Sequence, residues 1–201
     1  MRKIMVVVLF ALLTVSPGAV FAACPPGGQC PFTGCSWYNW LSNSSFYSGS
    51  SCWTLSGSAV FKTDGQICDN VPNYVQFNQY LGGSTLTQTI HIPGPGEAGY
   101  VGGPDPSRFE FQYALQINDP NHSPWDVLTI NLYDAHTGAT LQNIATWHGS
   151  DTNPNCGLTY LDFHNSAMLG KDVRVDIVAS TPLTGANFKI NNIYLWEYDA
   201  F

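Results

Sequence analysis

The feature that most constrains this chain is alternation. In "RFEFQYALQI" the side chains of Phe109, Phe111, Tyr113, Leu115 and Ile117 fall on one face, with Glu110, Gln112, Ala114 and Gln116 on the other. In "VLTINLYD", Leu128, Ile130 and Leu132 oppose Thr129, Asn131 and Tyr133. In "DVRVDIVA", Val173, Val175, Ile177 and Ala179 oppose Arg174, Asp176 and Val178. A period of two places one row of each strand in a core and the other in water. "NYVQFNQYL", "STLTQTIHI", "ATLQNIATW" and "NFKINNIYLWEY" read the same way, and no apolar spacing of helical period is sustained. Short strands joined by turn-rich loops predict an all-β fold, a two-sheet antiparallel jelly-roll sandwich.

The first residues address location. Arg2 and Lys3 precede an apolar run from Ile4 to Val15, and Val20 and Ala22 offer small side chains before Ala23. That is the layout of a secretory signal peptide over 1–22, too short for a membrane span with these flanks. A lipoprotein signal ending at Cys24 fits less well, because Phe21 is a poor residue three positions before the cysteine and five thiols would remain. Six cysteines follow the leader: Cys24, Cys30, Cys35, Cys52, Cys68 and Cys156. An even count in an exported chain predicts disulfides in an oxidising compartment, extracellular or periplasmic. Residues 23–40 form a Cys-, Pro- and Gly-rich arm pinned by such bridges, and 41–201 form the sandwich. Locality pairs Cys52 with Cys68, worth on the order of 3 kcal/mol through restriction of the unfolded chain, and one arm cysteine is expected to reach Cys156. The remaining texture is "PGPGEAGYVGGPDPS" (93–107), long for a connection and therefore a functional or mobile loop.

Charge narrows the partners. Two of the seven basic residues lie in the leader, so five face fourteen acids, a balance of −9. No basic stripe exists for nucleic acid, and an anionic membrane would repel this surface. The terminal Phe201 after alternating aromatics suggests an outer-membrane barrel, but the faces opposite the apolar rows carry Glu, Gln, Asn, Arg and Asp, unlike a lipid-facing band. A surface rich in amides and hydroxyls suits neutral polar ligands or further protein subunits.

The order "NSSF…CWTLSGSAV", then "LTQTIHIPG", then "LDFHNSAMLGKDVRVDIVAS" with "GANFKINNIYL" resembles the galactose-binding-domain-like sandwiches, which include carbohydrate-binding modules of secreted glycoside hydrolases. The resemblance runs over most of residues 41–198 and implies that Trp53 packs in the core beside Phe46. It also implies a structural calcium held by two acids, but the corresponding positions here are Tyr47 and Asn191, so no metal is expected there.

No GxSxG, HExxH or phosphate-loop motif occurs, no cofactor is implied, and the five histidines (91, 122, 136, 148 and 164) are scattered. Glu110 and Asp176 are the carboxylates that would have to flank a glycosidic bond if they shared a sheet; as two solvated strand residues they need no such role. A sugar site joins aromatic platforms to planar polar groups. Trp125, Tyr133 and Trp147 are the candidate platforms, and Gln112, Asn131, Arg174 and Asp176 the candidate hydrogen-bonding partners, although each alone also reads as an ordinary exposed position. The expectation is a non-catalytic protein that binds a neutral glycan. Its rivals are a self-assembling extracellular subunit made of further copies of this chain, and a jelly-roll glycosidase or lyase.

Overall fold

The computed structural model describes residues 26–29, 37–65, 67, 72–78, 80–100, 105–151, 158–181 and 187–198. Twelve strands are present among them: β1 (Gly28–Gln29), β2 (Trp37–Asn39), β3 (Thr54–Ser56), β4 (Ala59–Lys62), β5 (Tyr74–Phe77), β6 (Tyr80–Ile92), β7 (Arg108–Asn118), β8 (Val127–Asp134), β9 (Thr140–His148), β10 (Leu158–His164), β11 (Lys171–Thr181) and β12 (Asn187–Tyr198). One 3₁₀ turn, Ser166–Met168, precedes β11. Every strand pairing is antiparallel.

Two sheets form. The five-stranded sheet has the order β3-β6-β11-β8-β9. The seven-stranded sheet is organised on β12, which pairs with β7 along one side. On its other side β12 pairs with β5 near its start and with β2 near its end. β10 extends this sheet beyond β7, β4 beyond β5, and β1 beyond β2. The leader, Phe201 and Cys24, Cys30, Cys35, Cys68 and Cys156 lie outside the described residues. Cys52 is disulfide-bonded, and its expected partner Cys68 lies outside them.

The predicted inward rows are the core. Phe109, Phe111, Tyr113 and Leu115 of β7 are buried, as are Leu128, Ile130 and Leu132 of β8, and Val173, Val175, Ile177 and Ala179 of β11. Burying each large aliphatic or aromatic side chain contributes about 1.5–3 kcal/mol. Trp53 is also buried, its ring centroid 5.8 Å from that of Phe46. The connection 41–53 above it is fixed by polar side chains. Asn39 donates to the carbonyl of Leu41 at 2.9 Å and to Ser44 Oγ at 3.0 Å, and accepts from the N–H groups of Leu41 and Leu195.

β12 departs from strict alternation. Phe188 and Ile190 point inward, but the register shifts between Asn191 and Tyr194, where Asn192 takes a positive φ of 52°. Asparagine tolerates this left-handed conformation, and a bulge of this kind inserts one residue and reverses the parity beyond it. Ile193 and Leu195 therefore fill the core, and Tyr194, Trp196 and Tyr198 are turned outward. The buried Glu197 accepts the Trp40 indole N–H at 2.7 Å. Asn191 donates to the Asn73 carbonyl and accepts from the Asn192 N–H, and Tyr47 is 82 % exposed on its loop.

Candidate functional site

The outer face of the five-stranded sheet carries register rows that cross it, and one of them is polar on every strand. Thr54 of β3 lies opposite Thr87 of β6, Thr87 opposite Asp176 of β11, Asp176 opposite Asn131 of β8, and Asn131 opposite Asn143 of β9. A second row runs Ser56, Thr85, Val178, Thr129 and Thr146, and a third runs Thr89, Arg174, Tyr133 and Thr140. Neighbouring strands lie about 4.8 Å apart, and residues of one face recur about every 6.8 Å along a strand. The result is a mainly polar grid, rich in hydroxyls and amides, over an apolar core.

Four of the expected binding residues meet here: Asn131, Tyr133, Arg174 and Asp176. Their contacts differ from the expected ones. Arg174 Nε donates to both Asp176 oxygens, at 3.0 and 2.9 Å, and the guanidinium carbon lies 5.2 Å from the centre of the Tyr133 ring. Residues two apart on one strand share a face, so the opposite charges reach each other before any ligand arrives. Arg174 thus covers one face of Tyr133 and is neutralised by Asp176. Asn143 donates to Asn131 Oδ1 at 2.7 Å, which leaves the Asn131 NH₂ group to offer outward.

The other three expected residues lie off this outward-facing grid. Trp147 does not wall this face: it is opposite the inward Leu128, packs against the core, and donates its indole N–H to the hydroxyl of the buried Tyr113 at 2.8 Å. The two register shifts in this pairing, between Ile130 and Asn131 and between Leu132 and Tyr133, each reverse parity and together restore it, so Trp147 falls inward as unbroken alternation from the outward Thr140 would place it. Gln112 belongs to β7 in the opposite sheet, facing out between Tyr160 and Tyr194. Trp125 is 73 % exposed in the connection leading into β8. Glu110 and Asp176 also lie on different sheets. Packed sheets are about 10 Å apart and these side chains point away from each other, so the two carboxylates cannot flank one bond.

At the far end of the five-stranded sheet three connections meet. Asp172 accepts from His91 Nδ1 at 2.8 Å and from His136 Nε2 at 2.9 Å, and Glu97 lies 3.1 Å from His91 Nε2. Glu97 also accepts the Gly94 N–H at 2.7 Å, which ties the start of the Gly- and Pro-rich loop down. The hydrogen bond to Asp172, then that to Glu97, raise the His91 pKa above its ordinary value, against the opposing effect of burial. A raised histidine pKa stabilises the fold at low pH, and that contribution is lost as pH rises through the folded value. The groups are about half exposed, so solvent screening keeps the effect small. NMR titration is expected to place His91 above about 6.5, and Asp172→Asn to lower it; an unchanged midpoint in that variant would remove Asp172 as the cause. Among the described residues no group of three or more His, Cys, Asp or Glu is arranged to hold a metal ion, and no helix is long and apolar enough to cross a membrane.

Alternation alone misses an aromatic patch on the outer face of the seven-stranded sheet, where Tyr194 and Trp196 stack with centroids 5.2 Å apart. Unbroken parity from Phe188 would send both inward. The Asn191-Asn192 pair is the signal that could have revealed the bulge, because asparagine favours left-handed backbone.

No family model matches the sequence, and no curated protein matches it. Solved structures match the fold. TmCBM61, determined in complex with beta-1,4-galactotriose, aligns with a TM-score of 0.56 at 14 % identity, over 79 % of this chain and 98 % of that one. A family 16 carbohydrate-binding module aligns with a TM-score of 0.51 at 12 % identity, over 77 % and 97 %. The enzymatically active domain of bacteriophage CBA120 tailspike protein 4 aligns with a TM-score of 0.52 at 16 % identity, over 78 % of this chain but only 21 % of that one. The fold is therefore the β-sandwich that carbohydrate-binding modules use, and a chain with catalytic activity also contains it.

Proposed function

We propose that this is a secreted, non-catalytic protein that binds a neutral glycan across the outer face of the five-stranded sheet. The carrying observation is the row Thr54, Thr87, Asp176, Asn131 and Asn143, an unbroken line of hydroxyl, carboxylate and amide groups across five strands. Saccharide hydroxyls both donate and accept, and this row offers both kinds of partner within one plane. Neutrality of the ligand is argued from charge: Arg174 is held by Asp176, and the mature chain is strongly acidic, so among the described residues an anionic sugar would meet no free Lys or Arg on this face. Trp125 stands before β8 and Tyr133 near its end, roughly 25 Å apart along the strand, which leaves length for several sugar rings. The carbohydrate-binding modules that share the fold support the same reading. Export through the 1–22 leader and the disulfide at Cys52 support an extracellular or periplasmic setting.

The test is affinity electrophoresis through gels containing neutral polysaccharides, with Trp125→Ala and Asn131→Ala beside the wild type. An exposed aromatic stacking on a ring is worth about 1 kcal/mol, so Trp125→Ala should weaken retardation about fivefold with no change in melting temperature. Retardation unchanged in both variants would remove this face from the binding account.

A further inference from the structure

On the seven-stranded sheet, β7 runs between β10 and β12. Its outward Gln112 has Tyr160 directly opposite on one side and Tyr194 on the other. One step along, Glu110 lies between Asp162 and Trp196. In the other direction Ala114, 3 % exposed, lies between Leu158 and Asn191. A polar strand is thus flanked by aromatic side chains two strand spacings apart, about 9.6 Å. With carbon contacts of about 3.5–4.0 Å on each wall, that gap accepts one puckered ring.

The walls are anchored to different degrees. Tyr194 bonds Ser45 Oγ through its hydroxyl at 2.9 Å and stacks on Trp196. Tyr160 and its neighbour Leu158 are open, 66 % and 55 % exposed. The Trp196 indole nitrogen is buried with no acceptor among the described residues, where most such groups are satisfied. The floor is polar, with the Gln112 amide donating to the Glu110 carboxylate. One end is closed by Arg108, whose guanidinium lies 5.2 Å from the Trp37 ring centre and 5.1 Å from that of Tyr198, and which bridges Asp162 at 2.8 Å.

We propose that this trough is a second saccharide site, separate from the face of the five-stranded sheet. A neutral ring enters with its C–H groups against Tyr160 and the Tyr194–Trp196 pair and its hydroxyls on Gln112 and Glu110. Glu110 and Asp162 disfavour an anionic sugar, and Arg108 at the end of the trough is engaged by Asp162 and two rings. An apolar protein side chain in the same place would bury the amide and carboxylate of the floor with only each other as partners, leaving the rest of their hydrogen-bonding capacity unmet.

The test is calorimetric titration of the full chain with neutral β-1,4-linked gluco-, galacto-, manno- and xylo-oligosaccharides, following the Trp196 indole N–H resonance in parallel. At least one sugar is expected to fill two sites and to shift that resonance. Tyr160→Ala should weaken one site at least fivefold and spare the other, Trp125→Ala should do the reverse, and the isosteric Glu110→Gln guards against a folding artefact. A single site affected only by Trp125→Ala overturns the proposal and leaves the first face standing. No binding of any sugar overturns both. A change of oligomeric state in Tyr160→Ala, with sugar titrations unaltered, would assign this face to self-association and also overturn it.

Discussion

Replacing Trp53 with alanine is expected to cost about 3–5 kcal/mol of stability, the range for deleting a large buried aromatic. Its ring is 6 % exposed, lies against Phe46, and donates its indole N–H to the Asn43 carbonyl at 3.3 Å. Phe46 is itself fully buried in a left-handed conformation, with φ of 55°, which a bulky residue adopts only when its surroundings hold it there. Trp53 is a large part of those surroundings, so the cavity would open under an already strained connection. Urea unfolding measures the loss. A variant that keeps its midpoint but loses ligand would show that Trp53 greets a sugar rather than holds the core.

Gln88→Ala should be nearly as damaging, at about 3 kcal/mol. This side chain points inward from β6, accepts from the Ser42 N–H at 2.9 Å, and donates to the carbonyls of Ser42 and Cys52 at 3.1 Å each. It is the strap by which the connection 41–53 is tied to the five-stranded sheet. Removing it strands one buried N–H and two carbonyls, each costing about 1–3 kcal/mol if left unpaired, with relaxation and water recovering part. Gln88→Glu should not rescue, because a carboxylate cannot donate to two carbonyls. A loss below about 1 kcal/mol in urea unfolding would mean the strap is dispensable. The glutamine in "LTQTIHIPG" thus has a structural reason to precede the apolar end of its strand.

The strands themselves are legible because burial imposes a period of two on β7, β8 and β11. What the alternation does not carry is which strands are neighbours. Gln112 and Asn131 both read as outward residues of long strands, and only the long-range pairings of β7 with β12 and of β8 with β11 send them to opposite sides of the sandwich. One-residue bulges are the second blind spot, since each exchanges inside for outside. That is how Tyr194 and Trp196 become a surface. The third is side-chain pairing within a face: Arg174 and Asp176 each read as groups free for a ligand, yet two residues on one strand satisfy each other first. β10 shows the reverse limit, because "LTYLDFH" alternates over too short a run to be singled out before its partner β7 is known.

The central claim is that the five-stranded sheet presents a sugar-binding face. Titrating ¹⁵N-labelled protein with a neutral oligosaccharide and mapping the amide shifts tests it most directly. The account predicts saturable shifts concentrated on β8 and β11 around Asn131, Tyr133, Arg174 and Asp176, reaching Trp125, and diminished in Asn131→Ala. Saturable shifts that leave those strands untouched, or no shifts with any neutral sugar tried, would contradict it.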